Sequence, residues 1–231
     1  LLDSGDFLSA ERVRLHLPEE LRENEITVLK TVDSTNTFAK KQAADGAKSG
    51  TVIISEEQTG GRGRRGNSFY SPSGTGLYMS VILREAPAYC DTDLITICAG
   101  CGVCMAIEEL TEKKPLIKWV NDVYLDGKKI CGILSEATFD YEAKTIDSIV
   151  VGIGINITTA DFPDGLDKKA GVIGVPIERA KLAAKVTECF FKCLKRTREE
   201  NINDYKSLSL VLGREVEFMK EGRLYKAKAI D

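Results

Sequence analysis

The chain has 231 residues, 43% hydrophobic and 29% charged, a globular composition with room for one large domain or one plus a small appendage. Its net charge of −3 excludes a surface built wholly to grip nucleic acid, so any basic cluster is local. No apolar run is expected to reach the roughly 18 residues of a membrane span, and the charged, amphipathic start "LLDSGDFLSAERVRLHL" is not expected to be a signal peptide.

The elements follow in chain order. "SAERVRLHLPEE" reads as a short helix ending before Pro18, and "EITVLKTV" as a strand. "DSTNTFAKKQAADGA" is a helix capped by Asp33, Ser34 or Thr35, with Gly46 near its end. "GTVIISEEQ" is a strand, a Gly/Arg loop follows, and "GLYMSVILRE" is the next strand. Residues 91–113 form a helix, "PLIKWV" a strand, and "NDVYLDGKKICGILSEATF" a hairpin turning at Asp126-Gly127. "TIDSIVVGIGINIT" is another strand, residues 158–175 are loop, and "PIERAKLAAKVTECFFKCLKRTREEN" is one long helix opened by Pro176. "REVEFMKEGRLYKAKAI" alternates as a hairpin around Glu221-Gly222, the start of a small all-β module. Hairpins outnumber βαβ units, so the expected class is α+β with a mixed, mainly antiparallel sheet packed with helices. The chain begins without Met and stops in a strand-like run, as a fragment trimmed at both ends does.

Seven cysteines at irregular spacing, without a secretion signal, point to a reducing cytoplasm. Cys98, Cys101 and Cys104 have metal-ligand spacing, but "DLITICAGCGVCMAIEEL" reads as a buried helix and no fourth ligand is near. They are expected to be core thiols, as are Cys189 and Cys193. His16, the sole histidine, has no partner suggesting catalysis.

The densest chemical signal is "GGRGRRG", residues 60–66. Gly61, Gly63 and Gly66 satisfy G-x-G-x-x-G, but a dinucleotide fingerprint must open a helix, and "NSFYSPSGTG" with Pro72 cannot. No G-K-[ST] closes a P-loop either. What survives is physical: bare backbone N–H groups can line an anion site, and guanidinium groups give planar, bidentate donors to phosphate or carboxylate. Such a loop should order on binding an anion; its bland alternative is an exposed basic loop. Elsewhere, "KWVND" ends a strand. Trp119 is read as core filling, and Asn121 and Asp122 as either a turn or the polar floor of a site. In "GKKICGIL", Lys129 is by default an edge lysine facing solvent. Glycine weakens strands, so "VVGIGIN" implies that something packs flat against its backbone.

"DSTN", "EEQTGGRGRRG", "KWVND", "GKKICGIL" and "VVGIGIN", in this order over residues 33–156, resemble the biotin protein ligase family. Each piece alone is weak; the ordered set is specific, and the flanking elements fit. The resemblance implies a catalytic fold like that of class II aminoacyl-tRNA synthetases at 25–208, after a linker segment at 1–24. Residues 209–231 would begin an SH3-like barrel. It implies activation of biotin by ATP, with Mg²⁺ carried mainly on the phosphates, and transfer to a lysine of a biotin carboxyl carrier domain. In the family pattern Ser34, Thr35, Gln58, Gly61 and Arg62 meet the biotin head, while Gly132 and Gly152 leave room for the bicycle. Lys129 spans the biotin carboxylate and α-phosphate. Arg62, Arg64, Arg65, Phe69, Asn121 and Asn156 serve ATP or the adenylate, with Arg64 guarding the intermediate. Asp122 is the base or orienting group for the carrier lysine.

Two departures stand out. Val120 occupies the proline position of K-W-P-N-D, and Phe69 replaces a tryptophan that stacks on adenine. A second copy of the chain, in a homodimer, is kept as a candidate partner. Some relatives carry a winged helix and repress biotin-synthesis genes; DNA would be a partner only of an intact protein with that module. The rival readings are a lipoate or octanoate ligase of the same fold, and a non-catalytic nucleic-acid-binding module. The acidic balance and the lack of interleaved aromatics disfavour the second.

Overall fold

The structure, a computed structural model, describes residues 6–84, 92–140 and 145–230. Its helices are α1 (Ala10–His16), α2 (Thr35–Ala44), α3 (Thr92–Thr111), α4 (Arg179–Leu194) and α5 (Arg198–Ser207). Its strands are β1 (Ile26–Leu29), β2 (Val52–Ser55), β3 (Gly76–Leu83), β4 (Leu116–Lys118), β5 (Asp122–Leu125), β6 (Lys128–Asp140) and β7 (Thr145–Asn156), with β8 (Glu215–Lys220) and β9 (Arg223–Lys228) apart. The main sheet runs β1-β2-β3-β7-β6-β5-β4. Among the described strands only β1 and β2 pair in parallel, giving the mixed, mainly antiparallel α+β architecture expected.

The two-residue period of each strand decides which face is covered. Leu77, Met79 and Val81 of β3 and Val151, Ile153 and Ile155 of β7 join α3 and α4 in the large core. Ile53, Ile82 and Val150 point the other way, where Ala39 and Ala43 of α2 close over them. On that second face β7 continues as Gly152 and Gly154, and Gly132 of β6 lies opposite Gly154. Here the sheet stays open, which creates the site.

Both predicted tight turns form with two positive-φ residues, Asp126 (51°) with Gly127 (77°) and Glu221 (51°) with Gly222 (75°), as two-residue hairpins require. β8 and β9 make a separate two-stranded sheet.

Three expectations need correction. The long helix is two helices: Thr197 caps α5 through a reciprocal box with Glu200, which restarts the helix after residues 195–197. Pro176 does not open α4, whose N-cap is Glu178. And α3, with mean hydropathy 1.6, is long and apolar enough to cross a membrane by length and composition, but 72% of that window is buried in the fold. Core packing between the sheet and α4 accounts for its apolarity.

Cys98, Cys101, Cys104, Cys131, Cys189 and Cys193 are all buried; Cys90 lies outside the described residues. Burial pushes the Cys189 thiol up to about 12 and Cys193 to about 11, which suits packing rather than reactivity. His16 ends α1 with Nε2 3.4 Å from Glu178.

Candidate functional site

A cavity of about 400 Å³ opens on the glycine-bearing face of the sheet. Its polar end is built by the start of α2. Ser34 holds the N-cap position, yet its side chain makes no capping bond. Gln58 does that work from another segment: its Oε1 accepts the Thr35 backbone N–H (2.8 Å) and hydroxyl (3.1 Å). Its Nε2 donates to Ser71 Oγ at 2.9 Å. Ser34, Thr35 and Gln58 therefore share one wall, with Ser34 and Thr35 each only 3% exposed.

The floor is bare backbone, already covered by one aromatic ring. A Cβ on Gly154 would lie 2.7 Å from Phe69 Cε1, and one on Gly132 would lie 3.3 Å from Phe69 Cε2. Phe69 packs edge-on against Tyr78, with ring centroids 6.4 Å apart. Gly152, expected to face a ligand, instead gives its space to Asn36, whose Oδ1 would be 2.2 Å from a Cβ there. Gly152 still lines the cavity, and Gly154, in phase two residues further on, lines it as well. Gly61 has no room for a side chain, because a Cβ would meet the Phe69 carbonyl oxygen at 2.4 Å.

The Gly/Arg segment is a narrow turn rather than a helix start. Phe69 N–H donates to the Gly61 carbonyl (2.9 Å) and Gly63 N–H to the Asn67 carbonyl (2.7 Å). Arg65 and Gly66 both adopt positive φ, 57° and 77°. Arg64 and Arg65 are exposed on the cavity rim and have no ion pair among the described residues. Arg62 is different. Its Nη2 contacts both oxygens of Glu136, at 2.8 and 3.1 Å.

Lys129 is no edge lysine. β5 flanks it on one side and residues 169–171 on the other. Tyr124 pairs with Lys129 and Val123 with Cys131, so Ile130 is the extra residue of a bulge. Without it, alternation would aim Lys129 at the core side. With it, Lys129 shares the cavity face with Asp122 and Gly132. Lys129 Nζ lies 2.6 Å from Asp122 Oδ1.

Two residues, Trp119 and Asn156, sit differently from expectation. Trp119 is 65% exposed at the cavity edge, not core filling. It meets Tyr205 edge-on at 5.9 Å, and the Tyr205 hydroxyl donates to the Val120 carbonyl (3.0 Å). The 119–120 peptide bond is cis. Asn121 lines the cavity but commits its Nδ2 to the Ile133 carbonyl at 2.9 Å. Asn156 is not among the residues lining the cavity; it is buried, with Nδ2 donating to the Gly171 carbonyl (3.1 Å).

Sequence reasoning missed a buried polar network beneath the site. The Ser80 hydroxyl donates to Asn36 Oδ1 (2.7 Å) and lies 2.8 Å from Thr35 Oγ1. Asn36 Nδ2 donates to the Leu134 carbonyl (3.1 Å) and to Glu136 Oε2 (2.9 Å). Lys40 Nζ donates to Glu136 Oε1 at 2.9 Å. Burial alone would raise the Glu136 carboxyl, but the bonds from Lys40 and Asn36 and the charges of Lys40 and Arg62 outweigh it and hold the group below its ordinary value. The only signal was a Glu in phase with Gly132 and Leu134 on one strand.

Among the described residues no group of three or more His, Cys, Asp or Glu could hold a metal ion, and Asp122 is already paired. The described side chains do not form a protein-made Mg²⁺ cage.

With the geometry in place, comparison with known proteins is informative. Residues 28–156 match the model of the Biotin/lipoate A/B protein ligase family. The Bifunctional ligase/repressor BirA of Bacillus subtilis is 34% identical over 198 residues, 83% of this chain and 60% of that protein. The Biotin--[acetyl-CoA-carboxylase] ligase of Mycobacterium tuberculosis is 29% identical over 83% of this chain and 73% of its own length. The Aquifex aeolicus biotin protein ligase solved with biotin and ATP superposes with a TM-score of 0.76 at 31% identity, covering 88% of this chain and 86% of that one.

Proposed function

The chain belongs to the biotin/lipoate A/B protein ligase family, and we propose that it activates biotin with ATP and passes it to a lysine of a biotin carboxyl carrier domain. In the first step a biotin carboxylate oxygen attacks the α-phosphorus of ATP, and pyrophosphate leaves with the electrons of the broken P–O bond. The product is biotinyl-5′-AMP. In the second, a neutral carrier lysine amine attacks the acyl carbon of that anhydride, AMP leaves, and the amine gives up a proton.

One observation carries this reading. A single cavity is lined by uncharged polar side chains, bare glycine backbone and cationic side chains, the three kinds of surface that a ureido ring, an apolar bicycle and a carboxylate–phosphate junction require. Ser34, Thr35 and Gln58, with the backbone of Gly61 and Arg62, match the ureido donors and acceptors. Gly132 and Gly154 take the flat part of the ligand once Phe69 swings away, and Phe69 is then free to stack on adenine. Arg62 and Lys129 bring fixed charge to the meeting of two anions, a cost that bulk water could offset only by reorganising. Arg64 and Arg65, exposed on the turn, close over the adenylate and retain it. Asp122, held by Lys129, accepts or orients the departing proton. Asn121 serves the adenine end through its Oδ1, whereas Asn156, which does not line the cavity, acts there only indirectly, by holding the Gly171 carbonyl.

In this reading residues 25–208 are the catalytic unit, residues 1–24 a linker, and β8–β9 the first hairpin of an SH3-like module. The six buried cysteines suit the cytoplasm. Mg²⁺ accompanies the triphosphate. Homodimerisation and DNA-linked repression would belong to the intact protein, since the chain spans about 60% of the length of its BirA relatives. Isothermal titration with biotin, desthiobiotin and lipoate tests the assignment: biotin should bind tightest, desthiobiotin more weakly, and lipoate not at all. Preferential lipoate binding would overturn it.

A further inference from the structure

We propose that Glu136 is a positioning residue of the activation step, setting the Arg62 guanidinium before either reactant arrives. The role of Arg62 rests on the ligase reading above; its placement by Glu136 does not.

Glu136 stands on β6 in phase with Gly132 and Leu134, which places its carboxylate on the cavity side of the sheet. There it receives Asn36 from the first turn of α2, Lys40 one turn later, and Arg62 from the Gly/Arg turn. Arg62 uses Nη2 for this contact, leaving Nε and Nη1 to meet an incoming anion. Two cations against one carboxylate leave the cluster one positive charge in surplus. Glu136 therefore orients Arg62 without neutralising the subsite. Lys129 is treated in the same way, with Asp122 as its anchor. Arg64 and Arg65, given no carboxylate, stay on the exposed rim. Each cation assigned to the reacting centre has one anchoring carboxylate, and those assigned to the closing lid have none. Asn36 then extends the arrangement through Ser80 to Thr35, so the polar end of the cavity and its cationic side share one hydrogen-bonded frame.

The test compares wild type with E136Q and E136D in two measurements. The first is biotin-dependent ATP–pyrophosphate exchange. E136Q keeps the shape but presents an NH₂ where only donors converge, and should lower kcat about tenfold while each KM moves less than about threefold. E136D keeps the charge on a shorter arm and should lose less. The second is the ¹⁵N resonance of the arginine guanidinium groups in ligand-free protein. Wild type should show a restricted Arg62 side chain, E136Q should release it, and E136D should be intermediate, while Arg179, buried between Asp6 and Glu56, remains restricted in all three. An unchanged Arg62 signal, an unaltered or raised kcat, or an effect confined to KM overturns the proposal. Wild type without biotin-dependent exchange sinks the ligase reading instead, and the resonance measurement still judges the Glu136–Arg62 link.

Discussion

Replacing Lys129 with alanine tests the site at its centre, because the proposed reaction and the Asp122 ion pair give that lysine two separable duties. Its Nζ lies 2.6 Å from Asp122, with side chains 33% and 26% exposed. That is neither a solvated surface pair, worth up to ~1 kcal/mol, nor a buried one, whose breakage costs ~3–5 kcal/mol. Lys129→Ala should therefore cost about 1–2 kcal/mol of stability by leaving Asp122 without its partner. The loss of activity should be larger. Removing a fixed charge from a transition state in which two anions meet lowers the rate by roughly 10²–10³, about 3–4 kcal/mol. The double variant Lys129→Ala/Asp122→Asn separates the two, since a neutral Asn needs no counter-ion. Denaturant unfolding should show stability restored, while pyrophosphate exchange, which reports only the first half-reaction, stays as low as in the single variant. A single variant with a near-normal exchange rate would refute the catalytic duty. Recovery of exchange in the double variant would show that the defect was structural.

Other outcomes follow from the same geometry. Arg64→Gly should leave adenylate synthesis intact but let the intermediate escape, read as biotin label on bystander lysines; a variant with no stray label would count against the guarding role. Gly154→Ala puts a Cβ on the glycine floor, 2.7 Å from the resting Phe69 ring, and should raise KM for biotin more than KM for ATP; an unaffected KM for biotin would mean that this floor takes no part in binding it. Arg179→Met strands the carboxylates of Asp6 and Glu56 around a side chain only 5% exposed, and should cost about 3 kcal/mol in urea unfolding; a loss under about 1 kcal/mol contradicts the buried-triad reading. Glu136, faced by Lys40 and Arg62, has a folded-state carboxyl held below its ordinary value. Its contribution is thus present above the unfolded carboxylate range and lost as pH falls through the folded value. E136Q should flatten that part of the acid limb, and an unchanged pH profile would argue against the pairing.

Much of the fold was legible because the signals were local. The Asp126-Gly127 and Glu221-Gly222 turns announce their hairpins, and continuous apolar runs give β2 and β3. The break between α4 and α5 was missed although Thr197 and Glu200 spell a capping box, because the surrounding helix-forming residues masked it. Trp119 was misread since a lone tryptophan after an apolar strand looks like core; only tertiary placement against Tyr205 puts it at the cavity edge. In the site, residue types were readable but partnerships were not. Nothing in "GKKICGIL" shows that Ile130 is a bulge, so the turning of Lys129 towards Asp122 is a property of register. The bond from Gln58 to Thr35 and the collection of Asn36, Lys40 and Arg62 by Glu136 join segments up to 100 residues apart, and no periodicity encodes that.

The central claim is that this cavity joins a carboxylate to the α-phosphate of ATP and holds the anhydride. Incubating the protein with ATP, Mg²⁺ and labelled pyrophosphate, with biotin, lipoate or octanoate added singly, tests it most directly. Label should enter ATP with biotin alone. Incorporation with lipoate or octanoate but not biotin, or with no acid at all, contradicts the account.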